Sequence, residues 1–175
     1  MKKFLHLLMV AFLVFIDQLT KNLILGSDIA NGNSLPIIDG VFRLSFVKNS
    51  GAVWGIFGGK TTFLLILAAF IMAGLIWCYV KTPDTKHFLP IRIAIIMIAA
   101  GAIGNIIDRV RFKYVIDFLD FELINFPVFN VADCYITIAV FMTAALVLFY
   151  YKDQDLEHYS FKKKDAVSEN DAEVK

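Results

Sequence analysis

TTFLLILAAFIMAGLIWCYV, residues 61–80, contains no charged side chain. At a rise of about 1.5 Å per residue, twenty helical residues extend about 30 Å, the thickness of a bilayer's hydrocarbon core. A surface helix of a soluble protein would show a polar face, and this stretch has none. A second uncharged run, CYITIAVFMTAALVLFYY, occupies residues 134–151. Two such runs make the chain a membrane protein with several spans.

Composition agrees. Of the 175 residues, 58% are apolar and mean hydropathy is +0.67, against roughly 45–50% apolar in soluble domains. Residues 4–25 and 89–108 read as further spans, although Asp17, Lys21, Arg92 and Asp108 lie within or at the ends of them. The expected fold is an all-α membrane protein with four transmembrane helices, at about 4–25, 61–80, 89–108 and 127–151, forming one domain over residues 1–151. Met1-Lys2-Lys3 ahead of an apolar run resembles a signal peptide, but no small-x-small cleavage site follows, so it reads as an uncleaved signal anchor. The tail, 152–175, carries five Lys and seven acids with little apolar content and reads as disordered.

Lys and Arg in the flanks set the expected orientation. Nine lie on the side holding both termini and seven on the other. The expectation is that both termini are cytoplasmic. Trp77, Tyr79, Tyr150 and Tyr151 would then form the inner aromatic belt, with Trp54 and Tyr114 outside. Residues 26–60 hold a turn signal, Asp39-Gly40, followed by Val41–Val47, where Phe42, Leu44 and Phe46 alternate with smaller or polar residues. That pattern predicts a small extracytoplasmic sheet between spans one and two. Residues 109–126 begin basic and become amphipathic, with helix and strand equally open.

On this path every intramembrane polar group falls near one surface. Asp17 lies late in the first span; Asn105, Asp108 and Arg109 end the third; Asn130 and Asp133 begin the fourth; Asn49 and Asp117 lie in the two outer connections. Spacings of i, i+3 and i+4 put 105, 108 and 109 on one stripe, and 130 and 133 on another. Charges in spans are costly and face the bundle interior or a wet cavity. Four carboxylates meet one expected cation, Arg109, so at least one carboxylate should be hard to ionise and suited to acid–base work. Interhelical ion pairs and interfacial anchors are the structural alternative for any one pair.

Other chemistries fit less well. Cys78 and Cys134 lack CxxC partners, and His6, His87 and His158 all map to the inner side. An all-carboxylate Mg or Ca site stays open. GxSxG and phosphate-loop motifs are absent, and no basic patch suggests nucleic acid. Gly101-Ala102-Ile103-Gly104 reads as close helix packing.

Five pieces together resemble the prolipoprotein signal peptidases of bacteria, also called signal peptidase II. They are Asp17-Gln18-Leu19-Thr20-Lys21, Asn49-Ser50-Gly51-Ala52-Val53-Trp54-Gly55, Ala100 through Arg109, Val115-Ile116-Asp117-Phe118 and Phe129-Asn130-Val131-Ala132-Asp133. They run in family order and cover the chain up to residue 133; an Ala stands at 100 where Gly is common. The resemblance implies a β-cradle beside four helices and a catalytic pair, Asp117 and Asp133. It also implies a supporting and substrate-binding shell of Asp17, Asn49, Gly51, Asn105, Asp108, Arg109 and Asn130, with no metal and no cofactor. The implied substrates are diacylglyceryl-modified prolipoproteins, cut before the lipidated cysteine by a monomer in the bacterial cell membrane. A small ion-coupled carrier and a non-catalytic assembly factor are the rival readings.

Overall fold

The computed structural model describes residues 2–51, 57–124 and 126–159. Residues 52–55 of the Asn49–Gly55 motif, Trp54 among them, and the tail from 160 lie outside the described residues. Four long helices are present: α1 (Lys2–Leu25), α2 (Thr61–Lys81), α3 (Leu89–Phe112) and α4 (Val131–Phe149). Each is long and apolar enough to cross a membrane. α3 runs past the expected end at 108 and stops where Lys113 adopts a left-handed φ of 68° and donates its N–H to the Arg109 carbonyl. α4 starts at 131, not 127, because Asn130 caps it and the preceding residues are held extended.

α3 is the central helix, packed against α4, α1 and α2. Small residues let the backbones close: Ala94, Ala100, Gly101 and Gly104 on α3 meet neighbours such as Ala132 and Ala139 on α4. Large apolar side chains such as Phe70, Phe141 and Leu148 point outward, where the acyl chains lie.

A three-stranded antiparallel sheet sits at one end of the bundle, in the order β1 (Leu35–Ile38), β2 (Phe42–Asn49), β3 (Val115–Asp120). The expected turn joins β1 to β2, with Gly40 at φ 69°, where a side chain would be strained. The sheet does not belong to the first connection alone, however, because β3 comes from the second. β3 pairs with β2 on one edge and with Phe129 on the other. Its side chains are also buried on both faces, so no period-two pattern marked it as a strand.

Away from the sheet, His6 Nδ1 meets the Tyr79 hydroxyl at 2.7 Å, and both ends of the described chain lie at this end. Residues 153–159, in the tail expected to be disordered, take regular form. A short helix, α5 (Asp153–Leu156), and a 3-10 turn to Tyr159 fold against the α2–α3 turn. The Lys152 N–H donates to Asp155 Oδ2 at 3.0 Å, and Asp155 also meets His87 Nε2 at 3.1 Å. These local contacts hold a segment whose composition alone suggested none.

Candidate active site

A cavity of about 550 Å³ opens where the sheet meets the ends of α3 and α4, within the size range of small-molecule and peptide sites. One wall is polar, with Asn49, Asn105, Arg109, Asp117 and Asp133; another is apolar, with Phe126, Val128, Phe129, Ile136 and Ile138.

Strand parity places Asp117. Ile116 and Phe118 pack into a cluster with Ile24 and Ile29, so the residue between them faces the opposite way. A bulge in β2 then selects its partner. Leu44 pairs with Leu119 but Val47 with Asp117, so Ser45 and Phe46 together oppose Phe118. Without the extra residue, Phe46 would pair with Asp117 and Lys48 with Val115. With it, Asn49 pairs with Val115 and its Nδ2 reaches Asp117 Oδ2 at 2.8 Å. The Asn49 Oδ1 in turn accepts the Gly51 N–H at 2.9 Å.

Helix capping places Asp133. The Asn130 side chain accepts the Asp133 N–H at 3.1 Å, and Asp133 Oδ2 accepts the Asn130 N–H at 3.3 Å. This reciprocal pair is a capping box. The remaining amide end of Asn130 donates to Asp117 Oδ1 at 2.6 Å. A single asparagine thus joins the carboxylates of β3 and α4. Burial first, and the Asp133 charge second, push the Asp117 carboxyl up to about 7, against hydrogen bonds from Asn49 and Asn130 and the more distant Lys21 charge.

Behind this wall lies a charged layer that does not line the cavity. Lys21 Nζ is 2.9 Å from Asp17 Oδ2, 2.9 Å from Asp108 Oδ2 and 3.0 Å from Asn105 Oδ1, and the side chain is fully buried. The expectation that Arg109 is the only cation at the site is therefore corrected. Asp17 and Lys21, one helical turn apart in the first span, carried that signal, as did Gln18, whose Nε2 donates to Asp108 Oδ1 at 2.9 Å. The expected stripe of 105, 108 and 109 also divides. At about 100° per residue, Arg109 and Asp108 fall on either side of Asn105. Arg109 faces the cavity and donates to the Gly51 carbonyl at 2.9 Å. Asp108 faces α1 and accepts the Ile116 N–H at 3.1 Å. Asp17 accepts the Ala132 N–H. Among the described residues no three His, Cys, Asp or Glu side chains gather as metal ligands.

The structure thus gathers Asp117, Asp133, Asn49, Asn105 and Arg109 at the cavity, with buried Asn130 joining the two carboxylates, Gly51 beside them, and Asp17 and Asp108 one layer behind. Known proteins resemble this chain over most of its length. The lipoprotein signal peptidase of Clostridium novyi (strain NT) is 34% identical over 146 residues, covering 82% of this chain and 97% of its own. That of Caldanaerobacter subterraneus subsp. tengcongensis is 40% identical over 144 residues, covering 82% and 95%. A solved structure described as a bacterial membrane enzyme superposes with a TM-score of 0.74 at 34% identity, covering 90% of this chain and 93% of that one. A second, with the same description, gives 0.71 at 35% identity, covering 83% and 94%. The family model described as Signal peptidase (SPase) II matches residues 9–149, from the first span to the last and through every residue of the polar wall, and the chain belongs to that family.

Proposed function

We propose that this protein is an aspartic endopeptidase of the bacterial cell membrane that removes signal peptides from diacylglyceryl-modified prolipoproteins, cutting before the lipidated cysteine. Family membership makes it a peptidase, which removes the carrier and assembly-factor readings. Asp117 and Asp133 form the catalytic pair. The observation that carries this reading is their junction through Asn130 at the wall of a cavity.

Two neighbouring carboxylates do not both ionise easily, so near neutral pH they share one proton. The ionised member takes a proton from water as the water oxygen attacks the scissile carbonyl carbon. The protonated member gives its proton to the leaving nitrogen as the C–N bond breaks. Donors from Arg109, Asn49 and Asn105 lie on the same wall and stabilise the oxygen that gains charge.

The apolar wall suits the substrate's signal helix and the acyl chains of its modified cysteine, which stay in lipid while water enters from the sheet end. We place that end at the extracytoplasmic face, with both termini cytoplasmic. A cysteine at Ser34 should then react with an impermeant thiol reagent in intact cells.

The deciding experiment uses purified protein in lipid vesicles with a chelator present. Lipid-modified prolipoprotein should yield a product whose N-terminus is the modified cysteine, and the unmodified precursor should be cut far more slowly. Equal cutting of both precursors, or activity that requires added Mg or Zn, would overturn the reading.

A further inference from the structure

The Asn105 amide is held at both ends. Its Oδ1 faces two donors, Lys21 Nζ at 3.0 Å and Asn130 Nδ2 at 3.2 Å. Its Nδ2 donates to Asp133 Oδ1 at 2.8 Å. Asparagine has the same shape when rotated by half a turn, so only its neighbours decide which end is which. Reversed, its NH₂ would face an ammonium and another NH₂, and its carbonyl would face a carboxylate.

Lys21 can serve a purely structural purpose, since it neutralises Asp17 and Asp108. That purpose uses two of its three N–H donors. The third goes to Asn105.

We infer that Lys21 is a positioning residue, whose ammonium fixes the Asn105 amide with its N–H toward Asp133 and so holds that carboxylate in the geometry from which the pair shares its proton. The inference rests on the dyad reading above. The charged groups around the pair are Arg109 from α3 at the cavity and, one layer behind, Asp17 and Lys21 from α1 and Asp108 from α3. Without Lys21, the surrounding carboxylates outnumber Arg109. The Lys21 charge also acts on Asp117, where it favours the ionised form.

Lys21→Gln removes the charge and lets the amide reverse, and kcat, KM and the pH profile of kcat are measured per folded molecule. Expected are a kcat loss of about tenfold or more, a KM within about twofold, and a profile displaced to higher pH. Unchanged kcat overturns the inference, as does a kcat loss with an unmoved profile, which is what a structural role alone would give. Should Lys21→Gln not fold, Asn105→Asp decides on the same readouts. It keeps an oxygen toward Lys21 but turns a carboxylate oxygen, in place of the N–H, toward Asp133, so the same kcat loss and the same displacement to higher pH are expected. Asp117→Asn runs alongside. If it cleaves normally, the dyad reading fails; if it is inactive while both other variants keep wild-type kcat, only the positioning inference fails.

Discussion

The Asp17 carboxylate on α1 accepts the backbone N–H of Ala132, the second residue of α4, at 2.9 Å. One helix therefore caps another across the bundle. The first turn of a helix leaves N–H groups without partners and favours negative charge. Asp17 answers both needs while its other oxygen holds Lys21. Because Asp133 lies in the same first turn of α4, Asp17 fixes where that carboxylate stands without touching it.

Asp17→Asn keeps an oxygen for Ala132 but withdraws one of the two carboxylates on a buried ammonium. Breaking a buried pair from one side costs about 3 kcal/mol. Stability against denaturant should fall by about that amount, and cleavage should fall with the folded fraction. Full stability with lost cleavage would move Asp17 into the chemistry itself.

Gly101 and Gly104 give a test in which packing and helix propensity oppose each other. Ala is the better helix former by about 1 kcal/mol, so propensity alone predicts stabilisation. A Cβ at 101, however, would stand 2.5 Å from the Ala132 carbonyl and 2.7 Å from Ile136 Cγ1. At 104 it would press on the Asp17 carboxylate. Both Gly→Ala variants should lower the unfolding temperature, and Gly104→Ala should also cut activity by displacing Asp17. A rise at either position would show that the helices part easily.

The spans were legible because an apolar run of twenty residues has few other uses. The polar set was legible because its members segregate to one end of that path. Two things were not. β3 carries Val115, Ile116 and Phe118 with both faces covered, so a central strand and a helix look alike in its sequence. The bulge at Ser45–Phe46 depends on which strand becomes the partner, and nothing local announces it. Asn130 and Asp133 carried more than the stripe read from their spacing. A capping residue followed three positions later by an acid, ahead of an apolar run, is a helix start. Lys21 was underread for a different reason: a cation near a span's end normally reaches for water, and only the fold shows two carboxylates and an amide enclosing it.

The pH dependence follows from Asp117. Its carboxyl titrates near 7 in the folded protein, against an ordinary value of 3.8. A folded value above the unfolded one means that the native state binds the extra proton between the two. The contribution to stability is therefore fully present below about 4 and is lost as pH rises toward 7. Asp117→Asn should flatten that fall, which denaturant titrations at pH 5 and pH 8 would measure. The same proton is needed at the leaving nitrogen, so kcat/KM, which reports the free enzyme's groups, should decline on the alkaline side of a value near 7. A rate that keeps rising through pH 9 would contradict the shared proton.

The pair itself is tested by substitutions that spare shape. Asp→Asn preserves size and much of the hydrogen bonding while removing the proton site. At Asp117, a carboxylate raised by burial, the change should leave stability at neutral pH equal or improved. At Asp133, Asn can still accept the Asn130 N–H, so the cap of α4 should persist. Cleavage should fall by about a thousandfold or more at either position. Groups that act as one unit lose their function together, so the double variant should be no worse than the poorer single one. Asp120 is the control, since it lies on the same strand but pairs with Arg43 at 2.7 Å across to β2. Arg43 is partly exposed and Asn keeps an oxygen for it, so Asp120→Asn should cost little stability and leave cleavage near wild type. If Asp120→Asn loses as much activity as Asp117→Asn, the sheet's charge matters rather than the pair. If either dyad variant cleaves normally while folded, the water must be activated by another group in the cavity.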